Sequence, residues 1–483
     1  MSKVCKTIFP KLCLLLILFL LLLRPITDAD FGWHLAIGER IVKSGSVPDF
    51  DNFHFHHPVF PYIYYSWGSQ VLIFLAYSHF GLWGVTLFLA FFASLGVFFI
   101  YKTSRLVNPK TYFAPLLLIV ITGLLFVSVN IRPQVFSLFF FSLLFYLLAK
   151  NRDLFWVPVI FLAWVNLHPG YPAGVLLFLI FLIWRILQKE IQPRKAITLT
   201  LAVFASLLVN PYGLKMLIPP LRIVTNPVLT SLGINLEWMP LWQRGLPHQI
   251  FAIISIIIFV LIPLLKIKII LPHFLSIILF FLLSLRNTRV SMLLLVLLLP
   301  VVDLFLQKIF PNPLPLFKKK LTITLPFFVS LVVFCLALVL RIITNLGEVD
   351  FAYQNLKNLA QVSGMPYEAV EYIKTHNVPE RLLNESAWGG YLLWQLPGRK
   401  VFYSASMDLC EVSPGRYLWQ DYQEMIALGP KWQSLLEKYQ IEAVLLPKFY
   451  PLAKHLQKSK DWKIIYEDNL NILFATQKVP FSF

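Results

Sequence analysis

The stretch LCLLLILFLLLLRPITDAD, residues 12–30, decides the fold class of this protein. Its unbroken apolar run follows Lys3, Lys6 and Lys11 and ends in a short segment that carries two aspartates. A basic start before an apolar run is also typical of a signal peptide, but no cleavage site with small residues follows here. The sequence therefore predicts an uncleaved first membrane-spanning helix whose basic end lies in the cytoplasm.

The composition extends this prediction to most of the chain. Hydrophobic residues make up 58% of the 483 residues and charged residues only 14%, which is too little charge for the surface of a soluble protein of this length. About eleven apolar stretches approach the length needed to span a bilayer, at residues 8–26, 80–101, 112–130, 134–149, 155–168, 171–187, 196–210, 249–265, 269–285, 290–307 and 321–340. We therefore predict an α-helical polytopic membrane protein.

The positions of the basic residues predict its orientation. Six basic segments alternate with the spans, and all fall on the side of the N-terminus, as the positive-inside rule requires. After the N-terminus they hold Lys102, Arg105 and Lys110; Lys150 and Arg152; Lys189, Arg194 and Lys195; Lys266 and Lys268; and Lys308 with Lys318, Lys319 and Lys320. The net charge of +18 is concentrated in these loops and indicates no nucleic-acid partner. The N-terminus is predicted to be cytoplasmic and the C-terminal domain extracytoplasmic.

Two domains are predicted on this topology. Residues 1–344 form the multi-span domain, with long outer loops at 27–79 and 211–248, and residues 345–483 form a small α/β domain. Local patterns in the second domain predict helices at 366–376 and 431–439, strands at 392–396, 400–403 and 443–446, and a closing hairpin of 462–466 with 472–475. The four cysteines are too few and too scattered for a disulfide framework.

The first candidate site is the acidic pair Asp28 and Asp30, directly after the first span. A carboxylate at the membrane surface can act as a general base on a hydroxyl or can hold a divalent cation such as Mg²⁺ or Mn²⁺. If a helix begins here, Asp30 and His34 share one face. The alternative is that both aspartates are only solvated residues that cap the span.

Arginines form the second candidate group, again at outer turns. Arg132, Arg286 and Arg289 could bind a lipid phosphate through their guanidinium groups, or they could contact ordinary headgroups. His168 stands at a helix end and either bonds a neighbouring helix or lines a pocket. Glu237 in the long outer loop could be a second acidic group of the site, although a solvated carboxylate is the simpler interpretation.

Other polar residues have weaker functional interpretations. His54, His56 and His57 match no common zinc spacing, and solvated loop histidines are the favoured interpretation. Asp303 lies near the inner interface and is not interpreted as a proton relay. The sequence contains no phosphate-binding loop of the kind that ATP-driven transporters use.

The combination of outer motifs resembles the GT-C superfamily of membrane glycosyltransferases, which includes the protein O-mannosyltransferases, the aminoarabinose transferases and the oligosaccharyltransferase catalytic subunits. More closely, the chain looks like a poorly characterised bacterial branch of that superfamily. The matching segments are Asp28-Ala29-Asp30, Trp33-His34-Leu35, Gly38, Pro48 to Asp51, Arg132-Pro133-Gln134, Asn166-Leu167-His168, Asn210-Pro211-Tyr212-Gly213 and Glu237-Trp238.

The resemblance implies a sugar donor linked to a polyprenyl phosphate. It implies Asp28 and Asp30 as the catalytic residues, with Glu237 next, and a possible divalent metal at the two aspartates. The residues left to bind the donor and its lipid phosphate are His34, Arg132, His168, Arg286 and Arg289.

The C-terminal domain carries a further marker of the same resemblance in Trp388-Gly389-Gly390-Tyr391. An Asp-Gly-Arg type of segment is expected after the next strand. This chain has Ser404-Ala405-Ser406 there, with Asp408 as the nearby acid, so a contribution of this domain to catalysis is in doubt.

The function predicted from these features is transfer of a sugar from a polyprenyl-phosphate donor to a cell-envelope acceptor, at the outer face of a bacterial plasma membrane. Three alternatives remain open: an O-antigen type of polymerase or ligase, a non-enzymatic carrier or flippase for lipid-linked glycans, and an inactive scaffold. Essential arginines without an essential carboxylate would favour the first. A deep polar cavity open to both faces would favour the second.

Overall fold

The computed structural model describes residues 3–28, 30–55, 61–109, 132–225, 236–309 and 325–477, and 68% of the structure is helical. The chain divides into two compact units. The first unit consists of Met1–Arg24 and Thr86–Asp350, and the second of Pro25–Val85 and Phe351–Phe483. The sequence pattern assigns loop 27–79 to the multi-span domain, whereas the structure groups that loop with the C-terminal region.

Helices account for nearly all of the described first unit. The α-helices that lie in it wholly or in part are Lys3–Leu22, Trp67–Val107, Gln134–Lys150, Trp156–Leu167, Tyr171–Leu187, Pro193–Leu208, Ile218–Thr225, Leu246–Leu264, Leu271–Arg286, Ser291–Ile309 and Leu325–Gln354. Short 3-10 turns link them at Gly213–Leu217, Leu236–Trp238, Leu241–Gln243 and Thr288–Val290. Most of these helices overlap the predicted spans, but Trp67–Val107 and Leu325–Gln354 extend well beyond the predicted 80–101 and 321–340. The predicted span 112–130 and the start of 321–340 lie outside the described residues.

Three helices in the described residues are long and apolar enough to cross a membrane: Trp67–Val107, Leu246–Leu264 and Thr288–Ile309. A fourth is obtained if Pro193–Leu208 and Gly213–Ile223, bent by 94°, are counted as one span. The other apolar helices are shorter, so the number of eleven stays a prediction.

The helix Leu246–Leu264 shows why lipid is the solvent of the first unit. Only 11% of its most apolar window is buried inside the protein. Isoleucines such as Ile253 and Ile257 are about half exposed, at 57% and 49%. An apolar face of this extent is unfavourable in water and favourable in a bilayer.

Aromatic packing around the helix Gln134–Lys150 forms the core of the first unit. Phe141 lies 5.1 Å from Phe280, and Phe145 lies 6.1 Å from Phe181, measured between ring centroids. All four rings are at most 1% exposed. Inside the same unit Asn108 donates to Asp303 at 3.0 Å, so this buried carboxylate has a defined structural partner.

The second unit combines helices with a four-stranded sheet. Its strands are β1 (Leu382–Asn384), β2 (Glu411–Ser413), β3 (Arg416–Tyr417), β4 (Ala443–Pro447), β5 (Trp462–Glu467) and β6 (Asn471–Thr476). Its further helices are Phe31–Ser44, Leu356–Ser363, Tyr367–Thr375, Gly389–Gln395, Leu418–Ile426, Trp432–Lys438 and Pro451–Leu456, with 3-10 turns at Ser386–Trp388 and Ala405–Met407.

The sheet has the order β1-β4-β6-β5. Strand β1 pairs with β4 in parallel, and β6 pairs antiparallel with both β4 and β5. Every residue of β4 and β6 is buried, which identifies them as the central strands. Strands β2 and β3 form a separate small antiparallel pair.

Most predicted elements of the C-terminal region are confirmed individually. Helices at Tyr367–Thr375 and Trp432–Lys438, the strand Ala443–Pro447 and the closing hairpin of β5 with β6 are present. The strand predicted at 392–396 is wrong, because Gly389–Gln395 is a helix. Of the segment 400–403, only Val401 forms a bridge, and its partner is His54.

Glycines determine how closely the helix Phe31–Ser44 approaches the helix Gly389–Gln395. A Cβ atom placed on Gly32 would lie 2.0 Å from the carbonyl oxygen of Gly390. A Cβ atom on Gly389 would lie 2.0 Å from the carbonyl oxygen of Tyr403. Both obstacles are backbone atoms, so no side-chain rotation can relieve the overlap. The Trp-Gly-Gly-Tyr segment is therefore a packing motif in which glycine is required by contact.

Replacing Gly32 with alanine is expected to lower the free energy of unfolding of the second unit by about 1–3 kcal/mol, because the helix pair must separate. The measurement is thermal unfolding of the purified protein in neutral detergent, followed by tryptophan fluorescence. Gly347→Ala is the matched control, since a Cβ atom on this exposed helical glycine meets nothing within 4 Å. Equal unfolding temperatures for the two variants would contradict the contact.

Candidate functional site

The acidic pair lies at the start of a helix in the second unit. Asp28 Oδ1 accepts the backbone N–H of Asp30 at 2.8 Å, and the carbonyl of Asp28 accepts that of Phe31 at 3.2 Å. The helix Phe31–Ser44 then begins, with Asp30 as its N-cap residue. Both carboxylates are half-buried.

A small cavity of about 20 Å³ lies beside Asp28. Its walls include Gly32, Tyr391 and Trp394. The Tyr391 hydroxyl is buried and has no hydrogen-bond partner in the described part of the chain. Burial, followed by the nearby charge of Glu371, raises the pKa of Tyr391, so this hydroxyl stays protonated and can donate. The cavity is about the size of one water molecule, which suits a single hydroxyl group.

His34 has a different environment from the aspartates that precede it. It is buried, its Nδ1 lies 3.2 Å from Gln70 Nε2, and its ring packs 3.9 Å from that of Trp33. The structure therefore places His34 inside the second unit. His34 therefore packs inside the protein, which its i, i+4 spacing from Asp30 did not predict.

The arginines predicted from sequence meet Glu237 in the first unit. Arg289 Nε and Nη2 donate to Glu237 Oε2 at 2.9 and 2.6 Å. Arg132 Nη2 donates to the other carboxylate oxygen. Thr288 supports the arrangement, because its N–H and hydroxyl both donate to the carbonyl of Met239, at 3.0 and 2.8 Å. Glu237 is thus held between two guanidinium groups, and we call this set, together with the nearby Arg244, the arginine cluster.

The arginine cluster carries more positive than negative charge. Burial raises the pKa of Glu237. The positive charges of Arg289 and Arg132, with a smaller contribution from Arg244, together lower it by more than burial raises it, so the net shift is downward. Glu237 is therefore a carboxylate that holds arginines, which makes it a poor proton acceptor at neutral pH. Two guanidinium groups bond to one carboxylate and Arg244 acts on it electrostatically, so the cluster has a net positive charge.

Arg244 is the member of the arginine cluster that sequence reasoning missed. It lies in the same outer loop as Glu237, and that shared loop was the available signal. Its charge contributes to the lowered pKa of Glu237, which shows that the two groups are close enough to interact. Arg286 ends the helix Leu271–Arg286 and is exposed, in contrast to the half-buried Arg289.

His168 contributes to the end of a helix in the first unit. Its Nδ1 accepts the N–H of Gly170 at 3.2 Å and lies 2.6 Å from Ser137 Oγ. Trp164 Nε1 donates to the same hydroxyl at 2.8 Å. Since Nδ1 is an acceptor, the neutral ring carries its proton on Nε2. Asn166 is likewise engaged with the backbone, donating to Leu162 and Val209 at 2.8 and 2.9 Å.

A polar network in the second unit was missed by sequence reasoning. His54 Nδ1 lies 3.0 Å from Asp51 Oδ1, and His54 Nε2 lies 2.9 Å from Ser404 Oγ. The hydroxyl of Ser406 follows at 2.7 Å from that of Ser404. The interpretation of His54 as a solvated loop residue is therefore wrong, because only 1% of it is exposed. His56 and His57 lie outside the described residues.

Asp51, His54 and Ser404 are hydrogen-bonded in the order of a hydrolytic triad. Their burial nevertheless excludes a hydrolytic role. Ser404 has no exposed surface, so a substrate cannot reach its hydroxyl. The backbone bridge between His54 and Val401 lies beside it. The network consequently fastens residues 51–54 to the segment in which the resemblance led us to expect an Asp-Gly-Arg sequence.

Metal binding at the aspartates has no further protein support in the described residues, where no group of three or more His, Cys, Asp or Glu side chains gathers. Mg²⁺ is often held by one or two carboxylates together with substrate phosphates. Asp28 and Asp30 are compatible with that limited kind of site.

Glu237→Gln is expected to lower the free energy of unfolding of the first unit at neutral pH by about 1–3 kcal/mol, because two half-buried arginines lose their shared anion. The wild-type pKa is lowered in the folded state, so this stabilisation is present above the pKa of an unfolded glutamate and is lost as the pH falls through the lower, folded value. Unfolding midpoints measured from neutral to acid pH should converge for wild type and variant.

The control for that experiment is Asp153→Asn. Asp153 forms an exposed pair with Lys150 at 2.8 Å, and its φ of 60° suits asparagine well. An equal loss of unfolding free energy in Asp153→Asn and Glu237→Gln would contradict the larger stabilisation expected from the arginine cluster.

Ser404→Ala is expected to cost the second unit about 1–3 kcal/mol of stability, because the buried imidazole of His54 loses its hydroxyl partner. Chemical denaturation followed by tryptophan fluorescence measures the change. Ser413→Ala, in which an exposed serine is replaced, should leave the midpoint unaltered. A Ser404→Ala midpoint equal to that of wild type would contradict a stabilising role for the hydrogen bond between His54 and Ser404.

Comparison with known proteins supports the fold and leaves the family unassigned. No protein-family model matches the sequence, and neither does any curated protein. Solved structures do match. The archaeal oligosaccharyltransferase AglB from Archaeoglobus fulgidus, in complex with an inhibitory peptide and a dolichol-phosphate, is similar over 100% of this chain and 76% of its own, with a TM-score of 0.58 and 12% identity.

The apo form of the Archaeoglobus fulgidus oligosaccharyltransferase is similar over 90% of this chain and 69% of its own, with a TM-score of 0.53 and 12% identity. The fold of this chain is therefore similar to that of the archaeal oligosaccharyltransferase.

Proposed function

We propose that this protein is a membrane transferase that moves a sugar or glycan from a lipid phosphate to an acceptor at the outer face of the membrane. The observation that carries the proposal is a likeness to an oligosaccharyltransferase that extends over the full length of this chain. That neighbour was solved with a dolichol-phosphate, which supports a lipid-linked donor of the same chemistry here. A polyprenyl phosphate in a bacterial plasma membrane is the specific form that we propose.

The arginine cluster is the proposed site for the donor phosphate. Arg132, Arg244 and Arg289 surround one carboxylate, so an anion can bind without removing Glu237. A guanidinium group presents two parallel N–H donors to a phosphate. Negative charge grows on the phosphate as the glycosidic bond breaks, and fixed cations stabilise that charge most in the transition state. His168 and Arg286 are proposed as lesser contacts of the donor.

The acidic turn, formed by Asp28 and Asp30, is the proposed source of the base. One of these carboxylates accepts the proton of the acceptor, the acceptor atom forms its bond to the anomeric carbon, and the phosphate leaves with the bonding electron pair. The small cavity beside Asp28, with the Tyr391 hydroxyl in its wall, supports the placement of a hydroxyl-sized group there. A divalent metal, if bound by the two aspartates, would supply positive charge at the acidic turn.

Asp28→Asn and Asp30→Asn test this function. Removal of the base is expected to lower the rate of transfer at least about 100-fold, in keeping with general-base catalysis. The measurement is transfer of sugar from a radiolabelled polyprenyl-phosphate donor in membranes that contain the full chain. The side-chain amide introduced by Asp28→Asn keeps an oxygen that can accept the N–H of Asp30, so the turn should persist.

Asp49→Asn is the matched control, because Asp49 is an exposed acid in the same loop. Full transfer by both the Asp28→Asn and the Asp30→Asn variant would exclude the proposed base. If, in addition, Arg289→Ala abolished transfer, the polymerase or ligase alternative would replace this proposal.

A further inference from the structure

A second, larger cleft lies in the same unit as the acidic turn. Its volume is about 500 Å³, which is within the range of small-ligand pockets. It is bounded by the last turns of the helix Phe31–Ser44, by the Asn52-Phe53 segment and by residues 397–399. No residue that lines the small cavity beside Asp28 lines this cleft, so the two are separate.

Positive charge dominates the side chains of the cleft. Arg40, Lys43 and Arg399 are its cations, and Glu39 is its one acid among the lining residues. Arg40 and Lys43 are three positions apart on one helix, so both point to the same side. Arg40 is exposed and forms no ion pair within the described residues.

The other two cations keep charge available as well. Lys43 lies 2.6 Å from Glu39, but the two side chains are 73% and 39% exposed, and a solvated pair of this kind is weak. Arg399 donates to the carbonyls of Val378, at 3.2 Å, and Pro379. The carbonyl groups are neutral and only orient the guanidinium, whereas the carboxylate of Glu380 is close enough to offset part of its charge.

Part of the cleft lining is apolar. Phe53, Leu393 and Pro397 contribute to it, and Phe53 is partly exposed. The backbone of Phe53 is fixed, because its carbonyl accepts the N–H of Val401 at 3.0 Å. The cleft therefore offers an aromatic ring on a fixed backbone together with guanidinium and ammonium groups. A ring that has an apolar face and carries an anionic substituent can contact both.

We propose that this cleft binds a sugar that bears a carboxylate or a phosphate group. The anionic group contacts Arg40 and Lys43, and the sugar ring packs on Phe53. The choice of a sugar rests on the proposed function, whereas the requirement for an anion rests on the charges of the cleft alone. The acceptor, or the part of a glycan next to the transferred sugar, is then acidic.

The test is a ligand-observed NMR titration of the full chain in neutral detergent. Glucuronate and glucose 6-phosphate separate the carboxylate from the phosphate, glucose lacks the charge, and inorganic phosphate lacks the ring. At least one acidic sugar is expected to bind about tenfold more tightly than both glucose and inorganic phosphate. The double variant Arg40→Gln, Lys43→Gln should lose about that factor, and added salt should weaken wild-type binding.

Lys357→Gln is the matched control, since Lys357 is an exposed lysine of the same unit, paired with Glu368. Wild-type binding of glucose as tight as that of both acidic sugars would overturn the requirement for an anion. Inorganic phosphate binding as tightly as the acidic sugars would overturn the requirement for a sugar. Unaltered affinity in the double variant would overturn the location.

Asp28→Asn separates this inference from the proposed function. It should abolish transfer and leave the affinity of the cleft for the acidic sugar unchanged. A chain that binds the acidic sugar and transfers nothing would refute the proposed function and support the cleft. A chain that transfers sugar and binds neither acidic sugar would do the reverse.

Discussion

One of the closest contacts in the second unit is that between Gly32 and Gly390, where two helices meet through their backbones. Any larger residue would force a Cβ atom into a carbonyl oxygen. This contact holds the start of the helix Phe31–Ser44, and with it the acidic turn, next to Tyr391 and Trp394. The small cavity at Asp28 exists because the two helices approach so closely.

Charge is handled differently in the two units. In the first unit, Glu237 is enclosed by arginines and serves as their common anchor. In the second unit, the buried charge of Asp51 is satisfied by two backbone N–H groups and by His54. In both units the carboxylate holds its neighbours in place through hydrogen bonds. Asp28 and Asp30, half-exposed at a helix start, are the acids that we propose for the chemistry.

The helices were largely predictable, because apolar runs of this length leave few alternatives. The hairpin of β5 and β6 was predictable from two β-rich runs around a turn. The helix at 389–395 was not, since a short apolar run such as Tyr391 to Trp394 fits a strand equally well without its tertiary contacts. There the close approach of Gly390 to Gly32 decides the outcome.

The sequence predicted which residue types belong to the sites, but it did not predict which of those residues contact one another. Arg132 and Glu237 are 105 residues apart, and His54 and Ser404 are 350 apart, so no local pattern can pair them. The sequence could suggest that Arg132, Arg289 and Glu237 lie on one side of the membrane. It could not indicate that Glu237 joins the two arginines, or that His54 is buried.

The second unit is assembled from two segments that are far apart along the chain, Pro25–Val85 and Phe351–Phe483. During translation its first segment leaves the ribosome long before its partner strands and helices exist. Gly32 therefore lacks its contact with Gly390, and His54 lacks its hydroxyl partner Ser404, until the second segment has been made. Closure of this unit is necessarily one of the last events in biogenesis, and folding factors have the whole interval in which to act on the early segment.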